Sequence, residues 1–202
     1  IQSYTPVFAA WKEYEPWQAL VSTYQAISGA GKTFRDWPEM EGNIIPYIGG
    51  EEEKSEREPL RVFGTIENGV IRPADGLTIT SQCIRVPVLY GHTATVFVNL
   101  RKKADKEELI EKMRAFRGAP QELGLPSAPA NFIQYLEEDN RPQVQLDVNY
   151  ERGFGVSIGR LRPDTIFDWK FVGLSHNTIR GAAGGGVLGA ELLKAQGYIQ
   201  AK

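Results

Sequence analysis

Ten consecutive residues hold much of the reactive chemistry in this sequence: Cys83-Ile84-Arg85-Val86-Pro87-Val88-Leu89-Tyr90-Gly91-His92. Arg85 sits in an otherwise apolar, strand-like run. A guanidinium buried without a partner is costly, so an Arg in such a run needs an anion, and its planar fork suits a carboxylate. His92 follows seven residues on, across a turn, where an imidazole can give or take a proton near neutral pH. Upstream, Tyr24-Gln25-Ala26-Ile27-Ser28-Gly29-Ala30-Gly31 places Gln25 at the end of an apolar run. Its amide could orient a carbonyl, and the small residues after it allow close approach of a ligand to the backbone. Gly49-Gly50-Glu51-Glu52-Glu53-Lys54 opens a helix with an acidic first turn, and Lys54 one turn in could hold phosphate as a point charge. Spacing alone allows plainer readings of each: a structural ion pair and a surface His, a tight turn with a solvated Gln, a dipole-favoured acidic turn.

Other chemistry is excluded or disfavoured. Cys83 lies mid-strand, where a small buried hydrophobe is the common case, and as the sole cysteine it can form no internal disulfide, which fits a reducing cytoplasm. Cys83, His92 and His176 lack metal-ligand spacing, so no metal is expected. Ala26 to Thr33 nearly matches a phosphate-binding loop, but Pro38 follows too soon for the helix that motif requires. A net charge of −2 argues against a nucleic-acid binder, and no apolar run approaches the ~20 residues of a membrane helix.

The elements that must position these residues read as α+β, with a mixed, largely antiparallel sheet, helices packed on one face and the sheet face used for dimerisation. Helices are expected at 5–14, 51–63, 105–116 and 177–196, with Asp105 as an N-cap before the stripe Leu109, Ile110, Met113. Strands are expected at 19–25, 77–89, 93–100, 144–148, 155–161 and 168–174; 32–50 and 118–129 read as irregular. The sequence opens at Ile1, without Met, on residues that read as helix, so a piece of a longer protein is expected.

Taken in order, Ser-Thr-Tyr-Gln-Ala-Ile-Ser-Gly-Ala-Gly (Ser22 to Gly31), Ile-Pro-Tyr-Ile-Gly-Gly-Glu-Glu-Glu-Lys (Ile45 to Lys54), Cys-Ile-Arg-Val-Pro-Val-Leu (Cys83 to Leu89) with His92, Gly-Arg-Leu-Arg (Gly159 to Arg162) and Asn-Thr-Ile-Arg-Gly-Ala-Ala-Gly (Asn177 to Gly184) resemble the aspartate-semialdehyde dehydrogenases, in their archaeal and fungal form. Five motifs in one order are far more specific than any one of them. In that family an N-terminal Rossmann domain binds NADP, and a Cys in an Asn-Cys-Ser/Thr motif attacks the aldehyde to give a thiohemiacetal. Hydride passes to NADP, and phosphate releases the acyl group as aspartyl phosphate; in the cell the reaction runs in reverse, toward lysine, threonine and methionine.

The resemblance implies that Gln25 orients the intermediate, Arg85 clamps the substrate carboxylate and His92 is the acid/base group. It assigns Glu51 (or Glu52) to the substrate amine, Lys54 to phosphate, and Ser28, Gly29 and Asn177 to the nicotinamide end of NADP. Neither the Rossmann fingerprint nor the Asn-Cys-Ser/Thr motif occurs in the 202 residues. The expectation is that residues 1–202 are the catalytic and dimerisation domain alone, inert without a nucleophile carried just upstream of Ile1. A homodimer or tetramer in the cytoplasm is implied. Two alternatives stay open: a malonyl-CoA reductase of the same fold, and a non-catalytic dimerisation module.

Overall fold

The computed structural model describes residues 1–200, built on a six-stranded sheet. The chain runs α1 (Thr5–Ala10), β1 (Pro16–Gln25), α2 (Glu51–Val62), β2 (Thr65–Glu67), β3 (Val70–Arg72), β4 (Thr78–Arg85), β5 (His92–Leu100), α3 (Lys106–Ala115), α4 (Ala119–Glu122), β6 (Ile133–Leu136), α5 (Val144–Asp147), β7 (Val156–Pro163), β8 (Trp169–Ser175) and α6 (Gly184–Ala195). The large sheet has the order β4-β1-β5-β8-β7-β6, and β2 and β3 form a separate hairpin. β1/β4 and β6/β7 are parallel; β1/β5, β5/β8 and β7/β8 are antiparallel, so the sheet is mixed and mostly antiparallel, as expected.

Period-two burial gives the sheet two different faces. On one face Val21, Ala94, Val96, Val98, Phe171, Val156 and Ile158 pack against Val7 and Phe8 of α1, Trp11 just after it, and Leu109, Ile110 and Met113 of α3. Trp11 carries its indole N–H to the Leu109 carbonyl at 3.0 Å, which fixes α1 against α3. α3 starts on the expected N-cap Asp105, and the Glu108 carboxylate completes a capping box by accepting the Asp105 N–H at 3.1 Å. The opposite face carries Leu20, Tyr24, Thr95, Phe97 and Val172, none of them fully buried. α5 covers its β7/β8 end, where Ser157 donates to the Asp147 carbonyl.

α2 flanks the β4 edge of the sheet. Glu52 accepts the Cys83 N–H at 3.2 Å and Glu56 the Ser81 N–H at 3.0 Å. Four helical residues advance about 6 Å and two strand residues about 6.6 Å, so the two carboxylates match two outward-facing strand donors.

Several sequence expectations need correction. Val144 to Val148 is no strand: Val144–Asp147 is a short helix organised by the buried Asp147 carboxylate, which accepts from the Arg141 guanidinium and from the Gln143 N–H at 2.6 Å. That network outweighs the strand preference of two valines. The adjoining strand is β6, and the hairpin β2/β3 turns on Asn68-Gly69, both at positive φ. The helix expected at 5–14 ends at Ala10, with a 3-10 turn at Lys12–Tyr14. The one expected at 177–196 begins as a π-turn (Ile179–Ala183) broken at Ala182 before α6.

Gly173 makes room for the N-terminal segment: a Cβ there would lie 2.0 Å from the Ser3 carbonyl oxygen. Gly173→Ala is therefore expected to cost about 1–3 kcal/mol in urea unfolding, as overpacking against fixed backbone does. An unchanged midpoint would mean that residues 1–4 are not held where the structure places them.

Candidate active-site cleft

The end of the sheet where β1 and β4 finish and β5 begins gathers the chemistry-bearing residues. Parallel pairing sets Gln25 beside Arg85, and β5 opens with His92 across from Ser175 of β8. A cleft of about 220 Å³ lies here, lined by Ile1, Gln2, Ser3, Thr23, Gln25, Glu51, Glu58, His92, Ser175, Asn177 and Gly181. A larger cavity, about 370 Å³ beneath Lys12 and Arg101, lies at the far end of β1 and holds none of the expected site residues.

Gln25 is 6% exposed and its amide reaches Thr23 Oγ1 at 3.2 Å and Glu51 Oε2 at 3.3 Å. The other Glu51 oxygen takes the Lys54 ammonium at 2.8 Å. Burial works to raise the Glu51 carboxyl, but the hydrogen bonds and charge of Lys54 and the Gln25 amide outweigh it, and its pKa is lowered on balance. Glu51 is the first residue of α2, after Gly50 in the left-handed region (φ 74°), where the helix dipole also favours a carboxylate. The ambiguity along the Glu run is resolved in position: Glu51 faces the cleft, Glu52 is engaged with β4, and Glu53 is exposed. Lys54 is mostly exposed and bound to Glu51 rather than free.

Arg85 is also 6% exposed, yet among the described residues no carboxylate lies within ion-pair distance of it. Its guanidinium donates to the Ala26 carbonyl at 2.6 Å. Burial lowers its pKa, opposed by the charge of Glu51. Gly29 explains how Arg85 and His92 come together: a Cβ there would stand 3.1 Å from Arg85 Nη1 and 3.3 Å from His92 Nε2. The close approach that the small residues permit is thus made by Arg85 and His92 themselves.

His92 Nδ1 accepts the Ala26 N–H at 3.1 Å, which leaves the proton of the neutral ring on Nε2. Burial, with the charges of the Ile1 α-amino group and Arg85 adding to it, lowers its pKa to about 4. Asn177 joins two turns, accepting the Gly91 N–H at 2.8 Å and donating to Ser28 Oγ at 2.9 Å. All eight expected site residues therefore cluster at this end of the sheet. Thr23, Ser175, Glu58 and residues 1–3 also line the cleft and were not anticipated. Thr23 was accessible to reasoning, since it lies two residues before Gln25 on the same strand face. Among the described residues no His/Cys/Asp/Glu cluster could hold a metal ion, and no helix is long and apolar enough to cross a membrane.

The His92 environment has a pH signature. Because the folded pKa lies below the usual 6.5, the unfolded chain binds more protons between pH 6.5 and 4, and stability falls as pH drops through that window. His92→Gln is expected to flatten this part of the pH dependence of the urea midpoint. Identical slopes in both proteins would mean that His92 is not held as described.

The profile of the semialdehyde dehydrogenase dimerisation domain matches residues 6–180. The aspartate-semialdehyde dehydrogenase of Methanothermobacter thermautotrophicus is 44% identical over 180 residues, covering 87% of this chain and 51% of that protein. The malonyl CoA reductase (NADP) of Metallosphaera sedula is 34% identical over 200 residues, covering 96% and 55%. The crystal structure of aspartate semialdehyde dehydrogenase with NADP from Candida albicans superposes with a TM-score of 0.85 at 36% identity, covering 96% of this chain and 55% of that one. The chain spans about half the length of the curated relatives it matches. It belongs to the semialdehyde dehydrogenase dimerisation-domain family.

Proposed function

We propose that residues 1–202 are the catalytic and dimerisation domain of an NADP-dependent, phosphorylating aspartate-semialdehyde dehydrogenase of the cytoplasm. The observation that carries this reading is Arg85, a buried guanidinium beside His92 with no carboxylate of its own among the described residues. Such a cation is satisfied when a substrate carboxylate enters, and the fork geometry then fixes the substrate's orientation.

The other groups take complementary roles. Glu51, kept ionised by Lys54 and Gln25, attracts the substrate ammonium, and Lys54 at the exposed rim meets phosphate. The Gln25 amide orients the reacting carbonyl. The Nε2–H of His92 donates a hydrogen bond to the oxygen that becomes negative when the carbonyl carbon turns tetrahedral, and the ring stays neutral because Nδ1 is already engaged. Ile1 to Ser3 line the cleft, so a thiol carried immediately before Ile1 in a longer chain would be delivered beside His92.

The residues fit NADP only in part. The Ser28 hydroxyl and the Asn177 carboxamide, expected at the nicotinamide end, already bond each other. This chain supplies a wall against the reacting end of the cofactor, which, when bound, provides the hydride acceptor; its phosphates are left to residues outside the chain. The malonyl-CoA reductase reading has one relative in its favour, but a carboxylate held in the cleft at Glu51 favours a substrate that carries an amine.

For assembly, we infer a homodimer through the open sheet face bearing Leu20, Thr95 and Phe97. Leu20→Arg is expected to convert a dimer to a monomer at micromolar concentration by light scattering; a monomeric parent would overturn the assignment. The activity is tested in the longer chain, by phosphate-dependent reduction of NADP with aspartate semialdehyde, against malonate semialdehyde plus coenzyme A. Turnover with the first alone supports the proposal, and turnover with the second alone transfers the site to the reductase. In the active enzyme Arg85→Ala is expected to lower kcat/KM by about 100-fold or more, the scale of losing a charge-assisted clamp. Unchanged turnover would remove Arg85 from the site.

A further inference from the structure

Asn177 follows the buried Ser175, which ends β8, and the buried His176, and both ends of its carboxamide are committed to the protein. Its oxygen accepts the N–H of Gly91, the residue before His92; its nitrogen donates to Ser28, the residue before Gly29. A third hydrogen bond, from the Ala26 N–H to His92 Nδ1, joins the same two turns. The connection from β4 to β5 is otherwise held to the turn after β1 by Ile27 N–H to the Val88 carbonyl (2.9 Å) and Ser28 N–H to the Leu89 carbonyl (3.3 Å). Beyond Leu89 the chain must swing through Gly91, at φ 94°, before β5 begins. Asn177 reaches that swing from a third element. Only an amide offers one acceptor and one donor a carboxamide's width apart, so this bridge is specific to Asn or its homologue.

We propose that Asn177 is a positioning residue: by tying Gly91 to Ser28 it sets the place and the tautomer of the His92 ring. The assignment rests on the reading of His92 as the proton-handling group, and it differs from the cofactor contact that the family resemblance implies for Asn177. Without the bridge, Gly91 is free to move, the Ala26 N–H loses its hold on Nδ1, and the imidazole gains access to water. The charged groups facing His92 stay the same, the α-amino group of Ile1, Arg85 from β4 and Glu51 from α2, so a change in its titration reports its placement.

Two readouts test this, and only one depends on activity. The chain has two histidines, so ring signals assign readily with His176→Gln as reference. By NMR on the 202-residue chain, His92 is expected to titrate near pH 4 in the parent and about one unit or more higher in Asn177→Ala, toward its usual 6.5. Ser28→Ala, which removes one arm of the bridge on a half-buried turn, is expected to move it in the same direction by less, with an unchanged urea midpoint as evidence that the fold is kept. In the longer enzyme, Asn177→Ala is expected to lower kcat about tenfold or more, within the reach of proton-transfer catalysis, with KM for NADP within twofold of the parent. An unmoved His92 titration in both variants overturns the proposal, and a raised KM for NADP alongside it assigns Asn177 to the cofactor. If the longer enzyme lacks the proposed activity, that reading fails, and the titration still decides the placement.

Discussion

The site depends on the register of β1 between β4 and β5. Parallel pairing with β4 puts Gln25 level with Arg85, and antiparallel pairing with β5 brings Tyr24 level with Thr93, so that His92 arrives beside the turn that follows Gln25. Side chains alternate with a period of two, so a slip of β1 by one residue would turn Gln25 out to the opposite face together with Val21, away from Arg85. The packing that prevents this is far from the chemistry: Val21, Val96 and Phe171 under α1 and α3 hold the register that the cleft reads out.

Within that frame the electrostatics are deliberately unequal. A cation is buried with a carbonyl as its protein partner, an imidazole is kept neutral by burial, and a carboxylate is kept ionised by a lysine and an amide. Each group has its pKa displaced from the value in water, and all three lie at one end of the sheet, the pattern that functional sites show. Arg85 is left with no carboxylate partner among the described residues, and the fold sustains this because β1 on one side and α2 on the other hold β4 in place.

Much of this was legible from residues. The strand carrying Arg85, the turn before His92, the acidic start of α2 and the N-cap of α3 all followed from local pattern, since each is governed by neighbours within one or two turns. The failures share a cause. Val144–Asp147 folds as a helix because of an Arg141–Asp147 pair that no periodicity reveals, and β6 is a strand because β7 offers it an edge. The β2/β3 hairpin is a different matter: Asn68-Gly69 is a strong hairpin signal between short β-branched runs, and it was present in the sequence to be read. In the site itself, the spacing suggested Arg85 and His92 as neighbours. It could not indicate that both side chains pack against Gly29, because that glycine is 56 residues from one and 63 from the other.

The two carboxylates that α2 lays along β4 bear on how copies of this chain can meet. An outermost strand with free N–H groups is a template on which another chain can lay a strand of its own. Here Ser81 and Cys83 have their donors already occupied by Glu56 and Glu52, with the bulk of a helix above them. Sheet extension across that margin would have to strip off α2, and with it Glu51, from the cleft. Assembly by strand exchange at this margin and an intact site are therefore mutually exclusive states of the molecule, and neutralising Glu52 or Glu56 would weaken the guard against the first without touching a residue of the second.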